Sequence, residues 1–192
     1  MPKNIQFIKS AVLAKDYPVH KKAEIAIAGR SNAGKSSFIN SLCTKVKIAK
    51  VSSTPGKTRL LNFFDMDDSY VLVDMPGYGF AARSVDEIAE WNQMIETYLM
   101  ARENLAGLIL VMDIRRDWTP EEELLKKFSE ERGFPLAVVL TKADKMSRSQ
   151  MLQAVAKVKK TSGLSAVFPV SALKKTGQNE VEDYVYENWV KA

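Results

Sequence analysis

The chain reads as an α/β domain of three layers, with a mostly parallel sheet containing one antiparallel strand between two layers of helices. Three observations predict this. Short apolar runs at residues 25–28, 106–112, 136–140 and 166–170 alternate with stretches of helical periodicity, as in strand–helix–strand units whose sheet is covered on both faces. Two further strand candidates, 60–66 and 70–73, are separated only by the turn residues Asp67-Asp68-Ser69, a hairpin that must reverse one strand. Each polar cluster of unusual composition falls directly after a strand, at the edge where such sheets bind ligands.

A chain of 192 residues is most simply one domain spanning 1–192, with residues 1–22 as an N-terminal extension packed on it. Within that extension, residues 5–16 form an extra strand or a short packing segment, and Tyr17-Pro18 breaks the pattern. The formal net charge of +5 favours a polyanionic partner but lacks the dense basic tracts of a dedicated nucleic-acid binder. The lone Cys43 excludes an internal disulfide and a cysteine-based metal site, and reads as a small buried thiol. The N-terminus lacks a secretory h-region, and the most apolar run, 105–112, is too short to cross a bilayer. These features point to a cytoplasmic protein without a membrane partner.

The strand at 24–28 runs into Gly29-Arg30-Ser31-Asn32-Ala33-Gly34-Lys35-Ser36, which fits G-x-x-x-x-G-K-[ST] without mismatch and opens the helix that continues through Ser37 to Leu42. Glycines let successive N–H groups face inward, and the helix start adds positive potential toward a polyphosphate. Lys35 is placed to reach the outer phosphates, and the Ser36 hydroxyl to ligate magnesium. Residues 44–57 are polar and basic, a surface loop carrying Thr54, with Thr58 directly after it. Thr58, nearer the next strand, is the better candidate for a magnesium-ligating hydroxyl that orders the loop only when a terminal phosphate is present.

After the hairpin, Asp74-Met75-Pro76-Gly77 ends a strand opposite the phosphate loop. Its carboxylate can hold magnesium through water, and the Gly77 N–H can approach a terminal phosphate. Residues 85–102 form an amphipathic helix with Ile88, Trp91, Ile95, Tyr98 and Leu99 on one face. Thr119-Pro120-Glu121 opens the next helix, which ends near Gly133, and the run Glu121-Glu122-Glu123 reads as a solvated helix start. Thr141-Lys142-Ala143-Asp144 follows another strand. A carboxylate there can accept from the ring N–H and exocyclic amine of guanine, donors that adenine does not pair in this way. The Lys142 stem would lie against the base, and Thr141 would fix the loop. Helix 147–160, strand 166–170 and helix 176–190 complete the chain, with the backbone of Val170-Ser171-Ala172 near the guanine oxygen.

Taken together, Gly29 to Ser36, Thr54-Pro-Gly-Lys-Thr-Arg59 with Asn62-Phe-Phe64, Asp74-Met-Pro-Gly-Tyr-Gly-Phe80, the 91–113 stretch ending Asp113-Ile-Arg115, and Thr141-Lys-Ala-Asp-Lys145 resemble the EngB family of bacterial ribosome-biogenesis GTP-binding proteins, within the translation-factor-related P-loop GTPases. The likeness covers essentially the whole chain. It implies a monomeric GTP-binding (G) domain that hydrolyses GTP to GDP and phosphate slowly, acts in late assembly of the large ribosomal subunit (its RNA and protein), and serves normal cell division and septation. No DNA partner is expected.

Carried over by residue, the resemblance places nucleotide contacts on Gly29, Arg30, Ser31, Asn32, Ala33, Gly34, Lys35, Ser36 and Ser37, on Gly56, Lys57 and Thr58, on Asp74 and Gly77, and on Thr141, Lys142, Asp144, Val170, Ser171 and Ala172. Magnesium falls to Ser36 and Thr58 directly and to Asp74 through water, and the chemistry to Lys35, Thr58 and Gly77. Thr141 stands where the family commonly has asparagine, Arg59 where it has glutamine, and Phe80 where it has tyrosine.

Signalling GTPases place a water-orienting glutamine just after the third-motif glycine, whereas this chain has Tyr78. Slow intrinsic hydrolysis follows, completed by a partner or an ion. Tyr78 and Phe80 read equally as a partner-facing contact exposed in one nucleotide state. Asn32 is either a potassium ligand supplying the charge of an arginine finger or a loop-stabilising side chain. Candidate ribosomal-RNA contacts are Lys21, Lys22, Lys45, Lys47, Lys50, Lys57, Arg59 and the 157–160 lysine cluster. Two alternatives stand beside this reading: a GTP-dependent binding module with little turnover, and a P-loop ATPase or kinase.

Overall fold

The computed structural model describes residues 4–42, 60–79 and 85–191, apart from the side chains of 85–88, 90 and 91. A seven-stranded sheet runs in the order β1-β3-β4-β2-β5-β6-β7. The strands are β1 (Ile5–Ala11), β2 (Glu24–Gly29), β3 (Leu61–Met66), β4 (Tyr70–Asp74), β5 (Leu105–Asp113), β6 (Leu136–Thr141) and β7 (Val167–Pro169). β4, β2, β5, β6 and β7 pair in parallel, while β3 is antiparallel to both β4 and β1, so one strand is reversed, as the hairpin requires. Residues 5–11 join the sheet as its edge strand, the first of the two expected forms.

The described helices are α1 (Lys35–Leu42), α2 (Val85–Ala101), α3 (Pro120–Arg132), α4 (Arg148–Ser162) and α5 (Gln178–Val185), the last continued by a π turn over Tyr186–Val190. Side chains alternate across the central strands. Ala26, Leu108, Leu110, Val138 and Leu140 face one core with Ile95, Tyr98 and Leu99 of α2 and Val158 of α4. Ile25, Ile27, Ile109, Val111 and Val139 face the other with Phe38 and Ile39 of α1 and Val181 and Val185 of α5. Strands buried on both faces read as continuous apolar runs for this reason.

At the start of β2, the wholly buried Glu24 accepts from the Tyr98 hydroxyl at 2.7 Å and from Arg102 Nε at 3.1 Å. Arg102 also donates to the Pro18 carbonyl at 2.9 Å, which fastens the segment before β2 to the end of α2. A buried carboxylate with this many donors leaves few lone pairs unsatisfied.

The carboxyl ends of the strands are brought level by register. Ile27 pairs with Asp74, Gly29 with Val111, Asp113 with Thr141 and Leu140 with Pro169. The polar clusters of four chain segments therefore meet along one edge.

Candidate functional site

The phosphate loop leaves β2 at Gly29 and is held on three sides. Its main chain pairs with the segment after β4: the Tyr78 N–H donates to the Gly29 carbonyl at 3.2 Å and the Ser31 N–H donates to the Tyr78 carbonyl at 2.9 Å. Within the loop the Ala33 N–H donates to the Arg30 carbonyl at 3.0 Å. From β6, the buried Thr141 hydroxyl is shared between the Ala33 carbonyl and the Met112 carbonyl, the latter at 3.0 Å. Gly34 is required twice over: its φ is +90°, and a Cβ there would lie 3.0 Å from Thr141 Oγ1.

Lys35 begins α1, and its ammonium forms an ion pair with the Asp74 carboxylate, both side chains nearly buried. Ser36, half-buried, and the exposed Ser37 follow in the same turn. Gly77 lies against the loop, where an added Cβ would approach the Ser31 nitrogen to 3.2 Å. The Arg30 guanidinium turns toward the start of α3, 3.5 Å from Thr119 Oγ1 and 3.7 Å from Glu121.

The second half of the site is laced to the first. Lys142, with φ +59°, donates to the Asn32 carbonyl at 3.0 Å and pairs with Asp113 at 2.9 Å. Asn32 is exposed and itself has φ +64°. Asp113, at the end of β5, also binds Arg115 through Nε at 2.9 Å and Nη2 at 2.6 Å. The Arg115 guanidinium foremost, with the Lys142 ammonium, holds the Asp113 carboxyl well below the usual carboxylate range. Asp144 accepts from the Ser171 hydroxyl at 2.6 Å, which lowers its carboxyl, and the Ala143 N–H donates to the Val170 carbonyl at 3.1 Å. The Ser171 N–H is engaged by the Thr176 carbonyl at 2.9 Å, so it is not free for the backbone contact expected of it toward guanine.

One further expectation is corrected. Glu122 is not part of a solvated run: it is fully buried, accepting from the Tyr78 hydroxyl at 2.8 Å and from the Thr119 N–H at 2.9 Å. Tyr78 is only 5% exposed in this structure. Burial, then the Glu122 charge, pushes its phenol well above the usual range and keeps it a neutral donor. The Thr119-x-x-Glu122 spacing already signalled a capping box, but nothing local pointed to Tyr78. Asp113 ends β5 as Asp74 ends β4, and that position is the signal the sequence offers for it.

Cys43, Lys45, Lys47, Lys50, Thr54, Gly56, Lys57, Thr58, Arg59 and Phe80 lie outside the described residues. Among the described residues no cluster of three or more His, Cys, Asp or Glu side chains could enclose a metal. Ser36 and Asp74 instead suit a magnesium ion held largely by phosphates and water, which needs few protein ligands. No helix among these residues is long and apolar enough to cross a membrane.

The family described as 50S ribosome-binding GTPase matches residues 24–142. A protein of Bdellovibrio bacteriovorus described as a probable GTP-binding protein EngB is 83% identical over 191 residues, covering 100% of this chain and 95% of its own. One of the same description from Pelotomaculum thermopropionicum is 42% identical over 191 residues, covering 98% and 96%. Among solved structures, a probable GTP-binding protein engB superposes with a TM-score of 0.68 at 24% identity, covering 86% of this chain and 97% of that one. Aquifex aeolicus Era bound to GDP and aluminium fluoride gives 0.70 at 24% identity, covering 88% and 57%. Era has also been solved with Mg-GDPNP and a segment of 16S ribosomal RNA.

Proposed function

We propose that this chain, which belongs to the EngB family of GTP-binding proteins, is a GTPase switch that works in late assembly of the large ribosomal subunit and thereby supports cell division and septation. The observation that carries the reading is the continuous rim in which Thr141 and Lys142 join the Lys35–Asp74 pair to the Asp144–Ser171 pair. One end of that rim suits a polyphosphate and the other a guanine base. The ribosomal partner is supported by the description of the matching family. Of the lysines proposed to meet RNA, Lys22 is tied to Asp65 and Asp68, and Lys157 to Asp117. Lys159 and Lys160 are exposed at the end of α4.

In this reading Lys35 exchanges Asp74 for the outer phosphates. Ser36, Thr58 and, through water, Asp74 would hold magnesium, which when bound would supply charge stabilisation to the phosphates. Gly77 presents its N–H to the terminal phosphate. Asp144 accepts from guanine while Ser171 keeps its carboxylate ionised and aimed. Tyr78 donates to Glu122 and is no substitute for a water-orienting glutamine, so intrinsic turnover is slow; the same contact favours a docking module with little hydrolysis as second reading. Potassium held near Asn32 would add positive charge at the loop, and hydrolysis would then run faster in potassium than in sodium salts. The protein works as a monomer in the cytoplasm.

Competition against labelled GDP tests the nucleotide assignment. GTP should displace it and ATP should not; displacement by ATP at similar concentration would favour a P-loop ATPase or kinase.

A further inference from the structure

Tyr78 is held at three points. Its N–H and C=O bond Gly29 and Ser31 of the phosphate loop at 3.2 and 2.9 Å, and its hydroxyl bonds Glu122 of α3 at 2.8 Å. Glu122 is fully buried, and its other carboxylate oxygen accepts from the Thr119 N–H. A helix-start glutamate can cap from solvent at little cost, whereas sinking the carboxylate into the core is costly unless its lone pairs are used. Here they are used by a phenol arriving from the segment that follows β4. Arg30 reaches the same turn of α3 from the phosphate loop, at Thr119 and Glu121. Two segments of the candidate site thus converge on the first turn of one helix.

The residue joined directly to Tyr78 is Gly77, packed so closely on the phosphate loop that a Cβ would meet the Ser31 nitrogen at 3.2 Å. The 77–78 peptide is held at both ends, through the Tyr78 N–H on Gly29 and the close approach of Gly77 to Ser31, so a displacement of Tyr78 is carried through the Gly77 Cα to the preceding peptide, which bears the Gly77 N–H. We propose that the Tyr78–Glu122 hydrogen bond positions Gly77 for the terminal phosphate, making Tyr78 a positioning residue that sets preference for nucleoside triphosphate over diphosphate. The inference rests on the switch reading above, in which Gly77 serves that phosphate. It replaces the role left empty by the missing glutamine with a different one: Tyr78 acts through its neighbour's main chain. It also makes the start of α3 the route by which anything bound there alters nucleotide preference.

The test uses the full chain and measures affinities for GDP and a non-hydrolysable GTP analogue in magnesium, with thermal melting as a check on folding. Tyr78→Phe keeps the ring and removes the donor. It should weaken the analogue about tenfold, the scale of one lost hydrogen bond to a charged group, while GDP affinity stays within about twofold. Glu122→Gln retains an acceptor for the phenol and should keep the analogue-to-GDP ratio near wild type, which a requirement for the charge alone would not allow. A Tyr78→Phe protein that binds both nucleotides as wild type does, or loses both equally, overturns the proposal. Wild-type protein that fails to bind either nucleotide contradicts the switch reading itself.

Discussion

Thr141 donates its hydroxyl to the Ala33 carbonyl across 108 residues of sequence, and the bond is buried. It closes the distance between the loop that suits phosphates and the loop that suits the base. Lys142 adds a second, exposed link to Asn32. A displacement of either loop is therefore felt by the other, and the two halves of the proposed nucleotide site share one rim.

Thr141→Val removes that hydroxyl at nearly constant volume and takes a buried donor from the Ala33 carbonyl and a second one from the Met112 carbonyl. Stability should fall by about 1–3 kcal/mol, the cost of buried acceptors left unpaired. GDP affinity should fall with it. Chemical denaturation and GDP titration of the same preparation measure both, and loss of neither would mean that the link is incidental.

Asp144→Asn tests the base contact. An amide cannot accept from both guanine donors and presents its own N–H to them, so GDP affinity should drop by about a hundredfold or more. The Ser171 hydroxyl still has an acceptor in the amide oxygen, and the fold should hold. Xanthosine diphosphate, whose second carbonyl suits the amide, should recover part of the loss, whereas unchanged GDP affinity would remove Asp144 from the base site.

Asp113 gives the site an acid dependence with a definite sign. Its folded carboxyl lies below the usual range because of Arg115 and then Lys142. Its contribution to stability is therefore present above the ordinary carboxylate pKa of about 4 and is lost as pH falls through that value toward the lower folded one. Asp113→Asn should destabilise the protein by about 1–3 kcal/mol at neutral pH, and the difference from wild type should shrink below about pH 4. Melting temperature against pH for the two proteins measures it, and parallel curves would contradict the pairing.

Elements and ligand-bearing loops were legible in the sequence because their signals are local. The Gly29 to Ser36 loop sits between an apolar run and a helix start, and Asp67-Asp68-Ser69 turns the hairpin that reverses β3. Contacts between elements were not. Glu122 looks solvated among its acidic neighbours, since the partner that buries it, Tyr78, lies 44 residues earlier. Ser171 looked free to offer its N–H until Thr176 folded back onto it. Asp113 is an acid after a strand like Asp74, but its attachment to Lys142 depends on β5 and β6 being neighbours. Residues 5–11 carry apolar and basic positions in no firm period, and only pairing with β3 makes them a strand.

The central claim is that this GTPase engages the large ribosomal subunit according to its nucleotide. Co-sedimentation of the full chain with purified large subunits, in a non-hydrolysable GTP analogue and in GDP, tests it most directly. The protein should pellet with the subunits in the analogue, stay mostly in the supernatant in GDP, and lose the difference in Lys35→Ala. Equal pelleting in both nucleotides, or none in either, would contradict the account.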